Sequence, residues 1–321
     1  MTLQVPLIPH TRTSAPAPRT RRWVRTAATT AVSFAFLLGG TATANADTVE
    51  SDDVESASWG MPRPDLIDVA HRGASAYAPE NTLVAYEVAD DLGTHMAEID
   101  VQRTADGELV LMHDVTLIRT TNVEEVFPDR DSYNVGDFTL EEMRQLDAGS
   151  WFDESFAGEP IPTLGEALDL FEELDLPMLL EAKSTSLYPG IEEDIAEELW
   201  QRSYWNRPGR PFEPHRLVIQ AFEWDTMERS KELLPRIPHG LLGRVDESEI
   251  EDYAQWADQI NPNQNTIDAD YVEAVQDAGL EIYVYTVNSE SDINRAIDNG
   301  VNGIISDYPD RVLEIMAERD V

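Results

Sequence analysis

From Asp65 onward the chain alternates short β-branched runs with amphipathic helical stretches, and that alternation limits the folds open to it. The strand-like runs are Leu66 to Ala70, Met96 to Val101, Met178 to Ala182, Leu217 to Gln220, Gly240 to Leu242, Gln259 to Ile260, Ile282 to Thr286 and Gly303 to Ser306. Helical patterns lie between most of them, including Leu83 to Asp91, Leu164 to Leu174, Ile191 to Trp200 and Asp225 to Leu234. The last begins with Ser289 to Asp292, a capping-box-like start, and sets Ile293, Ala296 and Ile297 on one face. Strands separated by helices must run parallel. Eight such units in about 250 residues predict an α/β chain folded as a (β/α)8 TIM barrel.

One segment breaks the rhythm. Leu109 to Met112 is strand-like, yet too few residues separate it from Val101 for a helical crossover. Asp106-Gly107 is a turn signal, so this strand forms a hairpin with the second barrel strand. A turn centred between those two residues sets Asp100 opposite His113. Residues 114–176 then form a small insertion beside the hairpin, before the next barrel strand.

The first 46 residues read as an export address. Five Arg and no acid precede a modestly apolar run, Thr26 to Gly40, and Ala44-Asn45-Ala46 fits a cleavage site. Paired Arg21 and Arg22 resemble a twin-arginine signal, the alternative being an ordinary secretory signal. The apolar run falls short of the roughly 18 residues a spanning helix needs, so no stable membrane insertion is expected. Residues 47–64 are an acidic, proline-ended lead-in, and residues 65–321 form the barrel. The mature chain would start at Asp47 and is long enough to bury a large core without disulfides, which suits its lack of Cys.

Removing the leader leaves 18 basic residues against 62 acidic ones, a formal charge of −44. Such a surface repels nucleic acid and anionic membranes, so neither is an expected partner. An anionic substrate then needs local positive groups or a bound cation. The acids are spread along helices, which suggests a solvated surface suited to high salt.

In a (β/α)8 barrel the chemistry gathers at the carboxyl ends of the strands. The first strand here runs into His71-Arg72-Gly73, the second carries Glu98 and Asp100, the hairpin returns into His113-Asp114, and the next strand leads to Glu181-Ala182-Lys183. Glu98 and Asp100, two apart on a strand, share a face. With Glu181 they would repel one another unless a hard divalent cation, Ca²⁺ or Mg²⁺, takes their oxygens. Taken singly, any of these acids reads equally well as ordinary acidic surface. Six histidines occur; His10 lies in the leader, and His95, His215 and His239 precede strands, on the barrel's stability side. His71 and His113 flank the carboxylates and can act as base and acid. Arg72 offers a planar fork for phosphate oxygens, Lys183 a second cation, and Gly73 a close backbone approach. Cation, two imidazoles, Arg and Lys suit a phosphodiester.

His71-Arg72-Gly73, Pro79-Glu80-Asn81-Thr82, Glu98-Ile99-Asp100 and His113-Asp114, in that order, resemble the glycerophosphodiester phosphodiesterase family. The resemblance continues through Arg119-Thr120-Thr121, Glu181-Ala182-Lys183, Tyr285-Thr286-Val287-Asn288 and residues 303–309. It implies hydrolysis of glycerophosphodiesters to sn-glycerol 3-phosphate and an alcohol. Glu98, Asp100 and Glu181 would hold Ca²⁺ or Mg²⁺, His71 and His113 would be the acid–base pair, and Arg72 and Lys183 would contact phosphate. Glu80 would orient the first histidine loop, Asn81 with Thr82 would start the next helix, and Tyr285 would lie near the glycerol pocket. Two positions depart from the pattern: members often carry Trp where Tyr285 stands and Ser where Ala221 stands. A phospholipase acting on intact or lyso-lipids, and a catalytically dead binding barrel, are the alternative readings. The oligomeric state is left open.

The acidic surface carries its own prediction. Stability to urea should rise between about 0.01 M and 1 M salt, as the Debye length falls from about 30 Å to about 3 Å. Equal stability at both ends would refute the salt-adapted reading.

Overall fold

A computed structural model describes residues 66–205 and 215–321. The expected export signal and acidic lead-in lie outside the described residues. Eight parallel strands close into a barrel: β1 (Ile67–Ala70), β2 (Met96–Arg103), β4 (Met178–Ala182), β5 (Leu217–Ala221), β6 (His239–Leu242), β7 (Gln259–Asn261), β8 (Glu281–Val284) and β9 (Gly303–Ser306), with β3 (Leu109–Leu111) antiparallel on β2. Pairing of β1 with both β2 and β9 completes the ring.

Helices Leu83–Leu92, Leu164–Leu174, Ile191–Trp200, Trp224–Leu233, Ala269–Asp277, Glu290–Asp298 and Pro309–Arg319 alternate with the strands, as their apolar period requires. Thr82, Thr163, Asp268 and Ser289 cap four of them by accepting a backbone N–H from the first turn. The helices pack their apolar faces on the outer faces of the strands in one large cluster that includes Phe171, Ile195, Met227, Val272, Ile293 and Val312.

Inside the barrel a second, smaller cluster holds Ile67, Val69, Met96, Leu179, Val218, Tyr283 and Ile305. The strand period of two carries that face onward to Glu98 and Asp100 on β2, to Glu181 on β4 and to Gln220 on β5. The interior is therefore apolar below and polar at the carboxyl end. Gly303 makes room for this filling, because a Cβ there would stand 2.4 Å from the Tyr283 ring.

The hairpin differs from its expected register by one residue. Val101 pairs with Leu111 and Arg103 with Leu109, so Asp100 faces Met112, whose N–H donates to the Asp100 carbonyl at 3.0 Å. The physical reason is a loop of three residues, Ala105 to Gly107, in place of a two-residue turn. Thr104 N–H donates to the Glu108 carbonyl across it, and Gly107 takes the left-handed conformation at φ 93°.

Beyond the hairpin, Val110, Met112, Leu117, Val123, Val135, Phe138, Met143, Leu146 and Ile161 form a satellite core. The helix Leu164–Leu174, by contrast, packs Leu164, Ala167, Leu168 and Phe171 into the main core. It is the crossover helix between β2 and β4.

On the amino-terminal side of the barrel His239 is fully buried. Its Nδ1–H donates to the Ile237 carbonyl at 2.8 Å and its Nε2 accepts from the Ser230 hydroxyl at 2.9 Å, which fixes a neutral ring. Burial pushes its pKa down from 6.5 to about 4. The unfolded chain thus binds a proton that the folded chain refuses between those values. Stability from this group is complete above about pH 6.5 and falls as pH drops toward 4, by roughly 3 kcal/mol at about 1.4 kcal/mol per pH unit. Urea unfolding across that window should show His239→Gln losing less stability on acidification than wild type; parallel curves would refute the assignment.

Candidate active site

Three carboxylates meet where β2 and β4 end. Asp100 and Glu181 are register partners on neighbouring strands, and Glu98 lies one pleat below Asp100. Each of the three offers an oxygen within 4.8 Å of the others, and all three are buried. Burial, then the Asp100 and Glu181 charges, push the Glu98 pKa far up. Glu181 rises to about 8, through burial and the Asp100 charge against the opposing pull of Lys183. Asp100 goes the other way, to about 2, because Lys183 and Arg72 outweigh its burial. Burial and mutual repulsion thus favour the protonated form at Glu98 and Glu181, and the neighbouring cations the ionised form at Asp100.

The donor set fits a hard divalent cation. All three groups present carboxylate oxygens, and Asp100 Oδ1 is buried without a hydrogen-bond partner. The other oxygen of Asp100 is engaged: Asn81 Nδ2 donates to Oδ2 at 2.8 Å, while Asn81 Oδ1 accepts from the Asp100 backbone N–H at 3.1 Å and from the Tyr86 hydroxyl at 3.0 Å. The Asn81 side chain thus fixes the Asp100 carboxylate, and Thr82 caps the helix that follows.

Two cations border the cluster. Lys183 Nζ stands 2.7 Å from Glu181 and 3.6 Å from Asp100, and Arg72 Nε 3.3 Å from Asp100. Arg72 adopts φ 57°, a conformation costly for a residue with a Cβ, which turns its backbone N–H onto Glu98 Oε2 at 2.7 Å. Its guanidinium donates to Glu80 at 2.8 Å.

The two histidines are oriented alike. His71 Nδ1 lies 2.6 Å from Asp307, which also accepts from Ser75 at 3.1 Å and from Asn288 at 2.6 Å. His113 Nδ1 lies 2.7 Å from Asp114. In each ring the carboxylate fixes the proton on Nδ1 and leaves Nε2 free to take or give one. Burial, with Arg72 and Lys183 nearby, lowers the His113 pKa despite the opposing Asp100 charge.

His71, Arg72, Glu98, His113, Glu181, Lys183 and Tyr285 line one cavity of about 370 Å³. All the expected site residues therefore converge: seven line the cavity, and Asp100, Glu80 and Asn81 stand behind it. Sequence reasoning did not assign roles to Asp114, Asp307 and Arg119, or to Phe222 and Asn263 in the lining. Asp307 directly follows β9, and Asp114 lies beside His113 three residues past β3, which was the available signal. The Asp307 partner, 236 positions away, is set only by barrel closure.

The sequence profile of the Glycerophosphoryl diester phosphodiesterase family matches residues 71–311. A glycerophosphodiester phosphodiesterase of Bacillus subtilis (strain 168) is 34% identical over 273 residues, 80% of this chain and 89% of the relative. One from Caldanaerobacter subterraneus subsp. tengcongensis is 37% identical over 251 residues, 77% of this chain and 96% of the relative. Among solved structures, an Oleispira antarctica phosphodiesterase in complex with the product sn-glycerol-3-phosphate superposes with a TM-score of 0.68 at 28% identity, covering 80% of this chain and 97% of that one.

Gly73 sets the loop that carries His71 and Arg72. It adopts φ 80°, and a Cβ there would stand 2.7 Å from backbone atoms of Ala85. Gly73→Ala should therefore cost more than the roughly 1–3 kcal/mol of a strained φ alone, measured by urea unfolding. A loss below about 0.5 kcal/mol would show that the loop relaxes freely.

Proposed function

The chain belongs to the glycerophosphoryl diester phosphodiesterase family and is a glycerophosphodiester phosphodiesterase, and from that premise we propose an exported, divalent-metal-dependent hydrolase run by two histidines. Its products are sn-glycerol 3-phosphate and an alcohol. One observation supports the reading: two carboxylate-oriented imidazoles, two cations, Glu98 and Glu181 line a single cavity, with the third clustered carboxylate, Asp100, behind it.

Glu98, Asp100 and Glu181 would hold Ca²⁺ or Mg²⁺. When bound, the ion supplies Lewis-acid polarisation of a phosphoryl oxygen. Arg72 and Lys183 bind the remaining phosphoryl oxygens and offset the charge that builds on them during attack. One imidazole takes at Nε2 the proton of the nucleophile that attacks phosphorus, either water or the glycerol 2-hydroxyl, whose cyclic ester water then opens. The other, charged and steadied by its aspartate, gives a proton to the departing alkoxide. Tyr285, stacked edge-on to Phe222 at 6.1 Å, walls the side of the cavity where the glycerol moiety would lie.

Export rests on the Arg21-Arg22 leader and the Ala44-Asn45-Ala46 cleavage pattern, and the twin-arginine route is the proposed one. Among the described residues, no helix is long and apolar enough to cross a membrane.

A lysophospholipid substrate is a second reading, favoured by one feature. Tyr77, Ile118, Trp151, Leu187 and Phe222 are exposed, and all lie in the loops or insertion that follow strands at the carboxyl end. Choline release from glycerophosphocholine set against release from lysophosphatidylcholine separates the two.

Mature protein stripped with a chelator should lose glycerophosphocholine turnover and recover it on adding Ca²⁺ or Mg²⁺. Undiminished turnover after chelation would contradict the carboxylate site. His71→Ala and His113→Ala should each lower kcat by about 10²–10⁴-fold, and a variant as fast as wild type would remove that histidine from the mechanism.

A further inference from the structure

Arg119 lies outside the substrate cavity, at the start of the insertion, yet it is bonded to both arms of the site. Its NH1 donates to Glu80 Oε2 and its NH2 to Glu80 Oε1, both at 2.7 Å, a fork on a fork. Its Nε donates to Asp114 Oδ2 at 2.7 Å and NH2 also to Asp114 Oδ1 at 3.0 Å. Four of its five N–H groups are thereby engaged, which leaves it poorly placed to serve substrate. The Trp151 ring packs beside the guanidinium, 5.9 Å from its carbon.

The two carboxylates it joins do further work. Glu80 also accepts from Arg72, and Asp114 also holds His113. A continuous chain of charge-assisted hydrogen bonds thus runs Arg72, Glu80, Arg119, Asp114, His113. Its ends belong to different loops: Arg72 follows β1, and His113 follows β3. Both loops are tied at their backbones to β2, through Arg72 N–H to Glu98 and Gln102 to the Met112 carbonyl, and the Glu80–Arg119–Asp114 bridge links their side chains.

We infer that Arg119 is a positioning residue that fixes the His113 ring relative to the phosphate-binding Arg72 by bridging Glu80 and Asp114. This rests on the two-histidine reading and deepens it. A lysine cannot replace it, because a point charge on a flexible stem cannot fork to one carboxylate while holding a second. Electrostatics agree with geometry: the hydrogen bonds to Glu80 and Asp114 raise the Arg119 pKa, and Glu80 is held below the usual carboxylate range although burial works against that.

The test is steady-state kinetics on glycerophosphocholine with Arg119→Gln, Arg119→Lys, Glu80→Gln, the Glu80→Gln/Arg119→Gln double variant and His113→Ala, at saturating metal. Misplacement of a reacting group by about 1 Å costs on the order of 100-fold, so both Arg119 variants should lose about 10- to 100-fold in kcat with KM changed less than about threefold. Arg119→Gln should cost much less in the Glu80→Gln background, because one end of the bridge is already gone. Wild-type kcat in Arg119→Gln, rescue of kcat by Arg119→Lys, or full additivity with Glu80→Gln would each overturn the inference. Should Arg119→Gln fail to fold, Arg119→Lys alone decides between rescue and loss. A dead His113→Ala beside a fully active Arg119→Gln sinks this inference alone, whereas a fully active His113→Ala sinks the two-histidine mechanism on which it stands.

Discussion

The repulsion among Glu98, Asp100 and Glu181 is the constraint around which the rest of the site is arranged. Three acids within 4.8 Å, buried in a barrel mouth, cannot all ionise unless positive charge is brought to them. The chain brings two fixed cations, Arg72 and Lys183, and neither comes without strain nearby. Arg72 itself sits at φ 57°, and Ser184, next to Lys183, at φ 47°. Fixed cations of total charge two against three carboxylates leave a deficit, and Asp100 Oδ1, with no hydrogen-bond partner and Lys183 Nζ at 3.6 Å, lies where it is felt. A divalent ion would remove it and favour the ionised form of all three carboxyls.

Barrel geometry makes that concentration of charge tolerable. One strand face supplies Met96, Glu98 and Asp100 in succession, so the apolar layer that stabilises the barrel and the polar layer that reacts are consecutive pleats of one element. The polar layer is held from outside the cavity: Asn81 fixes Asp100, Asp307 fixes His71, and Gln102, next on the same face, donates to the carbonyls of Met112 and Asp114 at 2.7 Å on either side of His113. Gln102 is itself held by the Tyr188 hydroxyl at 2.9 Å. A loop that must present an imidazole is thus pinned at its backbone from a strand.

Much of this was legible in the sequence, and the reason is locality. Strand and helix periods are properties of short windows, and the motifs put each reactive group within two or three residues of a strand end, so the barrel rule alone brings them together. What was not legible depends on distances between segments. The hairpin slipped by one because a two-residue and a three-residue loop read alike around Asp106-Gly107, and only pairing decides between them. The Glu80 to Arg119 bridge spans 39 positions and joins a barrel loop to an insertion with its own core, Leu117 and Val123 included. Arg119-Thr120-Thr121 belongs to the family pattern, but nothing in its local spacing says which carboxylates Arg119 bridges.

The acidic surface bears on the site in a way that local motifs do not reveal. A phosphodiester carries a negative charge, and the chain's formal charge of −39 repels it at long range. Screening acts unequally on the two forces involved. Repulsion by exposed carboxylates acts through solvent and is cut off within about 8 Å at physiological salt, closer still in brine. Attraction by Arg72 and Lys183 acts at short range from side chains only 16% and 11% exposed, which counter-ions screen less. Added salt therefore weakens the barrier to approach more than it weakens capture. In a chain this acidic the positive charge that faces the cavity sits on side chains held largely out of solvent.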